Sequence, residues 1–361
     1  MTLRVAALTS GLRTPSSRFR IRQHIAPLAE QGILVREFRP LVDNNVDNIL
    51  RPLRPKGTRI RNFPPIYPLY FGLLGLRLAA RLPSVIASWR YDLTWLERGL
   101  CDGWPTLERL LGRPLVLDVD DAVWLAQPFG AKQMQRTAEH ADVVVVCNTY
   151  LAEWFRRFCS RVELVPTPVD GGIFFPIQKA ENSSFIVGWT GTSANFRYLT
   201  AIVPALIKFL HHAPEARLRI VADHPPTDLD LPPERIEFVR WSEATEATSV
   251  QTMDVGIMPL TDDPWTRGKC AFKVIQYMAC GLPVVASPVG MTAEVLGQGD
   301  VGLAARTEQQ WLDALIFVYE QRENAKRLGA AGRTKFLERY SRGAATRQLA
   351  EIFKEFDESA G

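Results

Sequence analysis

Short apolar runs alternate along the chain with longer segments in which apolar residues recur at helical spacing. The runs 3–8, 114–119 and 143–147 contain few polar residues, which is typical of strands buried on both faces of a sheet. Amphipathic segments such as 133–140 and 309–319 lie between such runs and predict helices. The alternation of the two patterns predicts an α/β fold with parallel sheets.

The same plan begins twice. A stretch rich in proline and glycine, 166–176, follows the strand predicted at 162–165, and a new strand starts at 185. Because 361 residues suit two domains of ordinary size, we predict an N-terminal domain at 1–172 and a C-terminal domain at 173–343, with a last helix at 344–356. Further strands are predicted at 91–96, 185–189, 218–222, 236–239, 254–259 and 282–286, and further helices up to about residue 82 and at 104–111, 149–158, 198–210 and 324–339.

Composition favours a cytosolic chain. Apolar residues make up 47% of the sequence, and five cysteines show no spacing typical of a zinc site, so buried, reduced thiols are expected. The first apolar run is too short for a signal peptide, and no run of about 18 apolar residues predicts a membrane span. We therefore expect a cytoplasmic protein.

Basic residues are concentrated in the first half, where 23 Lys and Arg face 16 Asp and Glu up to Asp170. A cluster of them lies inside a long predicted loop at 41–68 and precedes an apolar stretch at 66–76. Such a segment can hold a protein to an anionic membrane surface. The alternative is an exposed loop followed by an ordinary core helix. No aromatic-interleaved basic platform predicts nucleic-acid binding. The cluster consists of Arg51, Arg54, Lys56, Arg59 and Arg61.

The loop after the first strand contains Gly11, and the helix predicted to follow it begins with several arginines. Ligands of open α/β sheets bind beyond the carboxyl ends of the strands, so this loop should border a binding site. Gly11 lets backbone approach a ligand closely. Arg18 and Arg22 are four residues apart and are predicted to face a phosphate together. The alternative is that they only keep the surface soluble.

Carboxylates crowd the end of the strand at 114–119. Asp118 and Asp120 lie on one side of it, with Asp121 just beyond. Such groups raise one another's pKa and can act as acid, base or acceptors for sugar hydroxyls. The alternative is a helix N-cap formed by Asp120 or Asp121. A metal site from these residues has no second ligand cluster to support it.

The most informative stretch is 265–296. A cationic loop with Lys269 leads into a helix carrying Lys273, which Gly281 ends before a buried strand at 282–286. Cations beside a helix N-terminus favour an anion, because free N–H groups and the helix dipole both attract negative charge. The alternative is that the two lysines decorate a solvated helix end.

The order of this stretch, with Met278-Ala279-Cys280-Gly281, Pro283-Val284-Val285-Ala286-Ser287 and then Glu294, resembles the nucleotide-sugar-binding segment of retaining glycosyltransferases of family 4. The run Arg267-Gly268-Lys269, followed by Lys273, Gln276, Tyr277 and Met278, resembles in particular a bacterial branch that acts in surface-polysaccharide assembly. The resemblance implies the GT-B architecture, in which two Rossmann-like domains with parallel sheets face each other across a cleft. It also implies that the last helix packs back on the first domain. The family needs no metal and no cofactor besides the nucleotide-diphosphate sugar.

Several residues depart from the family's pattern. Gly268 and Gln276 stand where the family has two glutamates, and only Gln276 retains a side chain able to bond a ribose hydroxyl. In the loop Gly191-Thr192-Ser193, where the family has an arginine and a lysine for the diphosphate, Trp189 takes the arginine's place. The nearest cation is Arg197.

The resemblance implies transfer of a sugar to a hydroxyl of an acceptor. The basic first half and its apolar neighbour indicate a glycan or lipid-linked acceptor at the cytoplasmic face of a membrane. Lys269, Lys273 and Arg197 would stabilise the diphosphate, with Arg18 reaching from the other domain, and Asp118 or Asp120 would orient the acceptor. Two alternatives are a nucleotide-sugar epimerase or hydrolase of the same fold and a donor-binding domain without catalysis. The predicted donor contacts are Gly191, Thr192, Arg240, Trp241, Arg267, Gln276 and Glu294, with Gly11, Arg18 and Arg22 on the acceptor side.

Overall fold

The computed structural model of the chain describes residues 2–12, 14–41, 53, 65, 67–179, 184–227 and 229–358. The chain forms two compact units, one of Met1–Val165 with Thr346–Gly361 and one of Pro166–Ala345. The division after Val165 lies a few residues before the predicted boundary at 172. The basic cluster from Arg51 to Arg61 and most of the predicted loop at 41–68 lie outside the described residues.

A six-stranded parallel sheet forms the centre of the first unit, with the strand order β2-β1-β3-β4-β5-β6. Its central strands are buried throughout, as their apolar runs predict. Val5 pairs with Val35 on one side and with Leu93 on the other. The strands are β1 (Leu3–Leu8), β2 (Ile33–Phe38), β3 (Leu93–Glu97), β4 (Leu115–Val119), β5 (Val143–Val146) and β6 (Val162–Leu164).

The helices of the first unit lie where the sequence predicts them, with one exception. The helix predicted at 104–111 is wrong: only a single 3-10 turn forms, Glu108–Leu110. The carboxylate of Glu108 accepts hydrogen bonds from the backbone of Leu100 and Thr106, which holds the segment in a non-helical path. The helices are α1 (Gln23–Ala29), which a π-helical turn Ser17–Arg22 precedes, α2 (Tyr67–Ser88), α3 (Gly130–His140) and α4 (Thr149–Phe155).

The second unit repeats the plan with a parallel sheet in the order β12-β11-β10-β7-β8-β9. The helix predicted at 198–210 is divided in two, because proline in the first turn of the second helix cannot donate the hydrogen bond that would continue the first. The strands are β7 (Ile186–Thr190), β8 (Arg217–Ala222), β9 (Ile236–Arg240), β10 (Val255–Met258), β11 (Val284–Ala286) and β12 (Leu303–Ala304). The helices are α5 (Phe196–Thr200), α6 (Val203–His212), α7 (Glu246–Gln251), α8 (Pro264–Arg267), α9 (Phe272–Ala279), α10 (Met291–Leu296), α11 (Glu308–Glu320) and α12 (Arg322–Lys335).

Two hydrophobic cores cover the two faces of this second sheet. Val187 and Trp189 of β7 belong to one core, and Ile186 belongs to the other. Successive side chains of a strand point to opposite faces, so both faces must be apolar. The last helix, α13 (Arg342–Glu358), begins in the second unit and ends in the first, where Phe353 packs on Trp95 with ring centroids 5.1 Å apart.

Candidate functional site

The loop after β7 is fixed at the carboxyl edge of the second sheet. The backbone N–H of Thr190 donates to the hydroxyl of Tyr277 at 3.2 Å, and that of Gly191 donates to the carbonyl of Val221 at 3.0 Å. Asp223 accepts from the backbone of Ser193 at 2.6 Å. The loop that sequence analysis assigned to phosphate binding is therefore held rigidly at the edge where ligands of such sheets bind.

Lys273 lies against this loop. Its Nζ is 5.3 Å from the ring centroid of Trp189, and a Cβ added to Gly191 would stand only 2.9 Å from its Cε. Among the residues that the structure describes, no carboxylate lies within ion-pair distance of Lys273. Burial, and then the charge of Lys269, lower the pKa of Lys273 to about 7. An anion placed beside the loop would restore the stability of the charged form.

The cationic segment before α9 differs in detail from the prediction. Arg267 ends the short helix α8 and pairs with Asp262 at 2.6 Å, while α9 begins only at Phe272, after Ala271 in the left-handed conformation. Lys269 lies between the two helices, with its Nζ 5.7 Å from the ring centroid of Trp265. The cations therefore precede the helix on a separate, structured turn.

The structure corrects the ribose contact that was predicted for Gln276. Its side chain is almost fully buried, and its amide donates to Glu246 of α7 at 2.8 Å. The predicted ribose contact is not available to Gln276 in this arrangement, because the amide is turned into the protein. Glu246, which sequence analysis missed, is the acid that Gln276 holds in place.

The remaining residues predicted for the donor differ in exposure. Thr192 and Arg197 are exposed, and the guanidinium of Arg197 donates to the hydroxyl of Tyr198 at 2.6 Å. Arg240 and Trp241 follow β9, and the indole of Trp241 is 41% exposed. Such a ring can present a flat apolar face to a base. Glu294 is half-buried in α10.

In the first unit, Asp118 has a structural role. It forms a buried ion pair with Arg20 at 2.7 Å and accepts from the indole of Trp95 at 3.2 Å. Burial raises the pKa of the Asp118 carboxyl, against the opposing effect of Arg20. The prediction that Asp118 orients an acceptor is therefore wrong, because its oxygens are turned into the core.

Asp120 is held by Arg98, a residue that sequence analysis missed. Arg98 contacts Asp120 and Asp121, each at 2.7 Å, from a backbone with φ of 58°, which side chains rarely adopt. Neither aspartate caps a helix, since the following 3-10 turn Val123–Leu125 begins without a side-chain cap. The signal in the sequence was the position of Arg98, directly beyond an apolar strand.

The phosphate contact predicted for Arg22 is also corrected. Its guanidinium pairs with Glu37 at 2.8 Å and donates to the carbonyls of Leu12 and Gly11. Gly11 is buried, and its N–H donates to Ser17 at 3.3 Å. Arg18 is half-buried, with its guanidinium 4.7 Å from the ring centroid of Phe19. The ligand contact of Arg18 stays a prediction.

Glu97 is a further acidic group at the carboxyl edge of the first sheet. It accepts hydrogen bonds from the backbone of Ser10 and from the hydroxyls of Ser16 and Ser17. Burial raises the pKa of Glu97. The loop after β1 is thereby tied to the end of β3. Within the described ranges, no group of three His, Cys, Asp or Glu residues is arranged to hold a metal ion.

Solved structures share this architecture over nearly the whole chain. Sucrose-phosphate synthase from Thermosynechococcus elongatus is 16% identical with a TM-score of 0.70, covering 99% of this chain and 100% of its own. Anabaena HepE in complex with UDP is 15% identical with a TM-score of 0.68, covering 98% and 100%. A glycosyltransferase from Rickettsia africae is 13% identical with a TM-score of 0.68, covering 98% of each chain. The fold is GT-B.

Sequence comparison adds a match within the second unit of this GT-B chain. Residues 184–321 match the model of the family Glycosyl transferases group 1. The segment includes the loop at Gly191, Lys273 and the run at 282–286. No curated protein matches the chain significantly. The predicted resemblance to glycosyltransferases is thus confirmed for this segment and for the fold.

Proposed function

We propose that the chain is a retaining, metal-independent hexosyltransferase that uses a nucleotide-diphosphate sugar as donor. The observation that carries the proposal is Lys273, whose ammonium reaches the carboxyl edge of the sheet beside Gly191 without a carboxylate partner among the described residues. A half-buried cation of this kind is costly unless an anion joins it. HepE of similar fold has been solved with UDP and with UDP-glucose, which supports a uridine nucleotide as the first ligand to test.

The chemistry requires stabilisation of a leaving diphosphate. The bond between the anomeric carbon and the diphosphate oxygen breaks, and the acceptor hydroxyl forms a new bond on the same face of the sugar. Its proton passes to the departing phosphate oxygen, so no separate base is needed. Lys273 and the N–H groups of the loop at 191–193 would stabilise the charge that develops on the diphosphate. Lys269 and Arg197 would add cationic charge to the same region.

Other parts of the donor would meet other residues. The exposed indole of Trp241 would stack on the base beside Arg240, and Glu294 would contact the sugar or ribose. Thr192 and Arg267 would approach the phosphates. Buried Glu246, held by Gln276, would need to become accessible before it could take the place of a ribose-binding acid.

For the acceptor, we propose a hydroxyl of a glycan or of a lipid-linked saccharide, in bacterial cell-surface polysaccharide or glycolipid assembly at the cytoplasmic face of a membrane. Asp120 with Arg98, and Arg18, would form the acceptor side. The basic first half of the chain supports an acceptor attached to an anionic surface.

Donor binding is tested by thermal shift against UDP, GDP, ADP and dTDP and their sugars. Lys273→Met should abolish the shift, whereas Lys208→Met, on the exposed surface of α6, should leave it intact. No shift with any nucleotide would overturn the proposal.

Retention is tested by the anomeric configuration of the product. Hydrolysis or epimerisation of the donor at full rate without any acceptor would favour the epimerase or hydrolase alternative, and donor binding without turnover would favour a non-catalytic domain.

A further inference from the structure

Helix α2 presents its apolar side chains to solvent and its charged side chains to the protein. Six large apolar residues on its outer face are each 42–62% exposed. No charged residue interrupts this face over the length of the helix, from Tyr67 to Ser88. At 1.5 Å per residue, 22 residues extend about 33 Å. The six, which we call the outer face of α2, are Leu69, Phe71, Leu76, Leu82, Ile86 and the following residue Trp89.

The inner face carries the two arginines of the helix. Arg77 and Arg81 are each only 1% exposed. Arg77 donates to the carbonyl of Leu100, and Arg81 donates to the carbonyls of Thr9 and Phe38. A surface helix of a water-soluble domain has the opposite arrangement, with its apolar stripe toward the core. The polarity of α2 is therefore inverted.

The apolar surface continues beyond both ends of the helix. At one end, Phe71 contacts Trp104, which contacts Phe129, a residue that is 46% exposed. At the other end, the indole N–H of Trp89 donates to the carbonyl of Leu110, whose side chain is 51% exposed. A continuous apolar surface of this length marks a site of contact with a partner or a membrane.

We propose that the outer face of α2 is a monotopic docking surface that inserts into an anionic lipid bilayer. Charge supports lipid as the occupant, because the sequence between Asp47 and Asp92 contains, besides the inward-facing Arg77 and Arg81, six cationic residues and no acidic one. Basic residues beside an apolar face favour anionic headgroups. The absence of polar groups along the face also favours acyl chains, since protein interfaces contain regular hydrogen bonds.

Contrary to the expectation from sequence that no segment could span a membrane, the helix is long and apolar enough to cross a bilayer. Its packing indicates instead that it lies along the membrane surface. Arg77 and Arg81 bind the helix to backbone carbonyls at the carboxyl ends of three strands, β1, β2 and β3. The inner face of the helix therefore belongs to the fold of the first unit. Those strand ends form the edge where ligands of such sheets bind. The surface therefore brings a membrane to the edge proposed to receive the acceptor, and in this respect the inference rests on the proposed function.

Vesicle flotation tests the proposal with vesicles of phosphatidylcholine and phosphatidylglycerol in equal parts. The full chain should float with them. A triple variant Leu76→Gln, Leu82→Gln, Ile86→Gln should bind the vesicles at least about tenfold more weakly, because membrane binding scales with inserted apolar area. Leu34→Gln removes an equally exposed leucine from the edge strand β2 and should change nothing. Far-UV circular dichroism and a thermal shift with UDP-glucose should match the wild type in every variant, which separates this test from the test of donor binding.

Gly75→Leu distinguishes lipid from a protein partner. A Cβ at Gly75 meets nothing within 4 Å, so the larger side chain only enlarges the outer face. Vesicle binding should therefore increase. If the outer face instead binds a helix of another protein or a second copy of this chain, Gly75→Leu should block that contact. Dimers in solution that the triple variant dissociates, or a wild-type chain that fails to float with these vesicles, would overturn the proposal.

Discussion

The Nζ of Lys273 lies 5.3 Å from the ring centroid of Trp189, beside a glycine at which any side chain would collide with the lysine. The contact joins a helix after the cationic turn to the strand that precedes the phosphate-binding loop. Trp189 stands where the resembled family has an arginine, and Lys273 brings a positive charge to the same loop from α9. The two residues define the centre of the candidate donor site.

Replacing Lys273 with methionine should separate stability from binding. Because the half-buried charge is costly, Lys273→Met should raise the free energy of unfolding at pH 7 by about 2 kcal/mol. This is less than the full value of about 1.36 kcal/mol per pKa unit, because solvent screens part of the charge. Binding of UDP-glucose should weaken at least tenfold. Chemical denaturation and calorimetry measure the two effects. A variant that is less stable and binds the donor normally would contradict the assignment.

The same lysine predicts a pH dependence. Its pKa is about 7 in the folded chain and is near 10.5 when unfolded, so the unfolded chain binds more protons between these values. Its destabilising effect is therefore fully present below pH 7 and is relieved as the pH rises toward 10. A bound diphosphate should instead raise the pKa of Lys273, so donor binding should take up as much as one proton per molecule near pH 8. Calorimetry of UDP-glucose binding in buffers of different ionisation enthalpy measures this uptake, and Lys273→Met should abolish it.

The strands were predictable because a parallel strand buried on both faces has a local signature. The run at 282–286 indicated β11, and the run at 143–147 indicated β5, each within two residues. The bounds of α11, Glu308–Glu320, were also predicted to within one residue, because its apolar residues recur at regular helical spacing. The helix predicted at 104–111 failed because a side chain, Glu108, competes for its backbone donors.

The candidate sites were less predictable because their partners are distant in sequence. Asp118 was assigned to the acceptor from its position after a strand, but its partner Arg20 lies 98 residues away. Gln276 and Glu246 likewise meet only in the folded chain. The anion site at Lys273 was suggested locally by the cationic turn, whereas its contact with Trp189 required the sheet.

The pair of Arg20 and Asp118 should matter for stability. Arg20→Met leaves a buried carboxylate without its cation and should cost about 3–5 kcal/mol in the free energy of unfolding. Arg113→Met removes an ion pair with Asp142 at the surface and should cost less than about 1 kcal/mol. Urea denaturation of both variants makes the comparison. Equal losses would show that Asp118 does not depend on Arg20.

Chelation tests the metal-independent mechanism. If Lys273 and the loop N–H groups stabilise the diphosphate, sugar transfer should persist in excess EDTA after exhaustive dialysis. Added magnesium or manganese should change the rate less than about twofold, whereas a metal that bore the leaving-group charge would contribute several kcal/mol. Complete loss of transfer in EDTA, with recovery on adding a divalent cation, would refute this account.

Gly290 connects the cationic turn to the start of α10, and its substitution should affect both stability and donor binding. Its φ is +52°, and a Cβ there would stand 2.3 Å from the carbonyl oxygen of Arg267, so Gly290→Ala must displace the turn that carries Arg267 and Lys269. Gly299 has a φ of +115° but has no atom within 4 Å of an added Cβ, so Gly299→Ala measures backbone strain alone. We expect Gly299→Ala to cost about 1–3 kcal/mol and to leave UDP-glucose affinity unchanged. Gly290→Ala should cost more and also weaken the affinity, because the displaced turn moves positive charge away from Lys273. If both variants bind the donor as the wild type does, the position of the cationic turn does not contribute to the site, and the loop at Gly191 with Lys273 must hold the diphosphate without it.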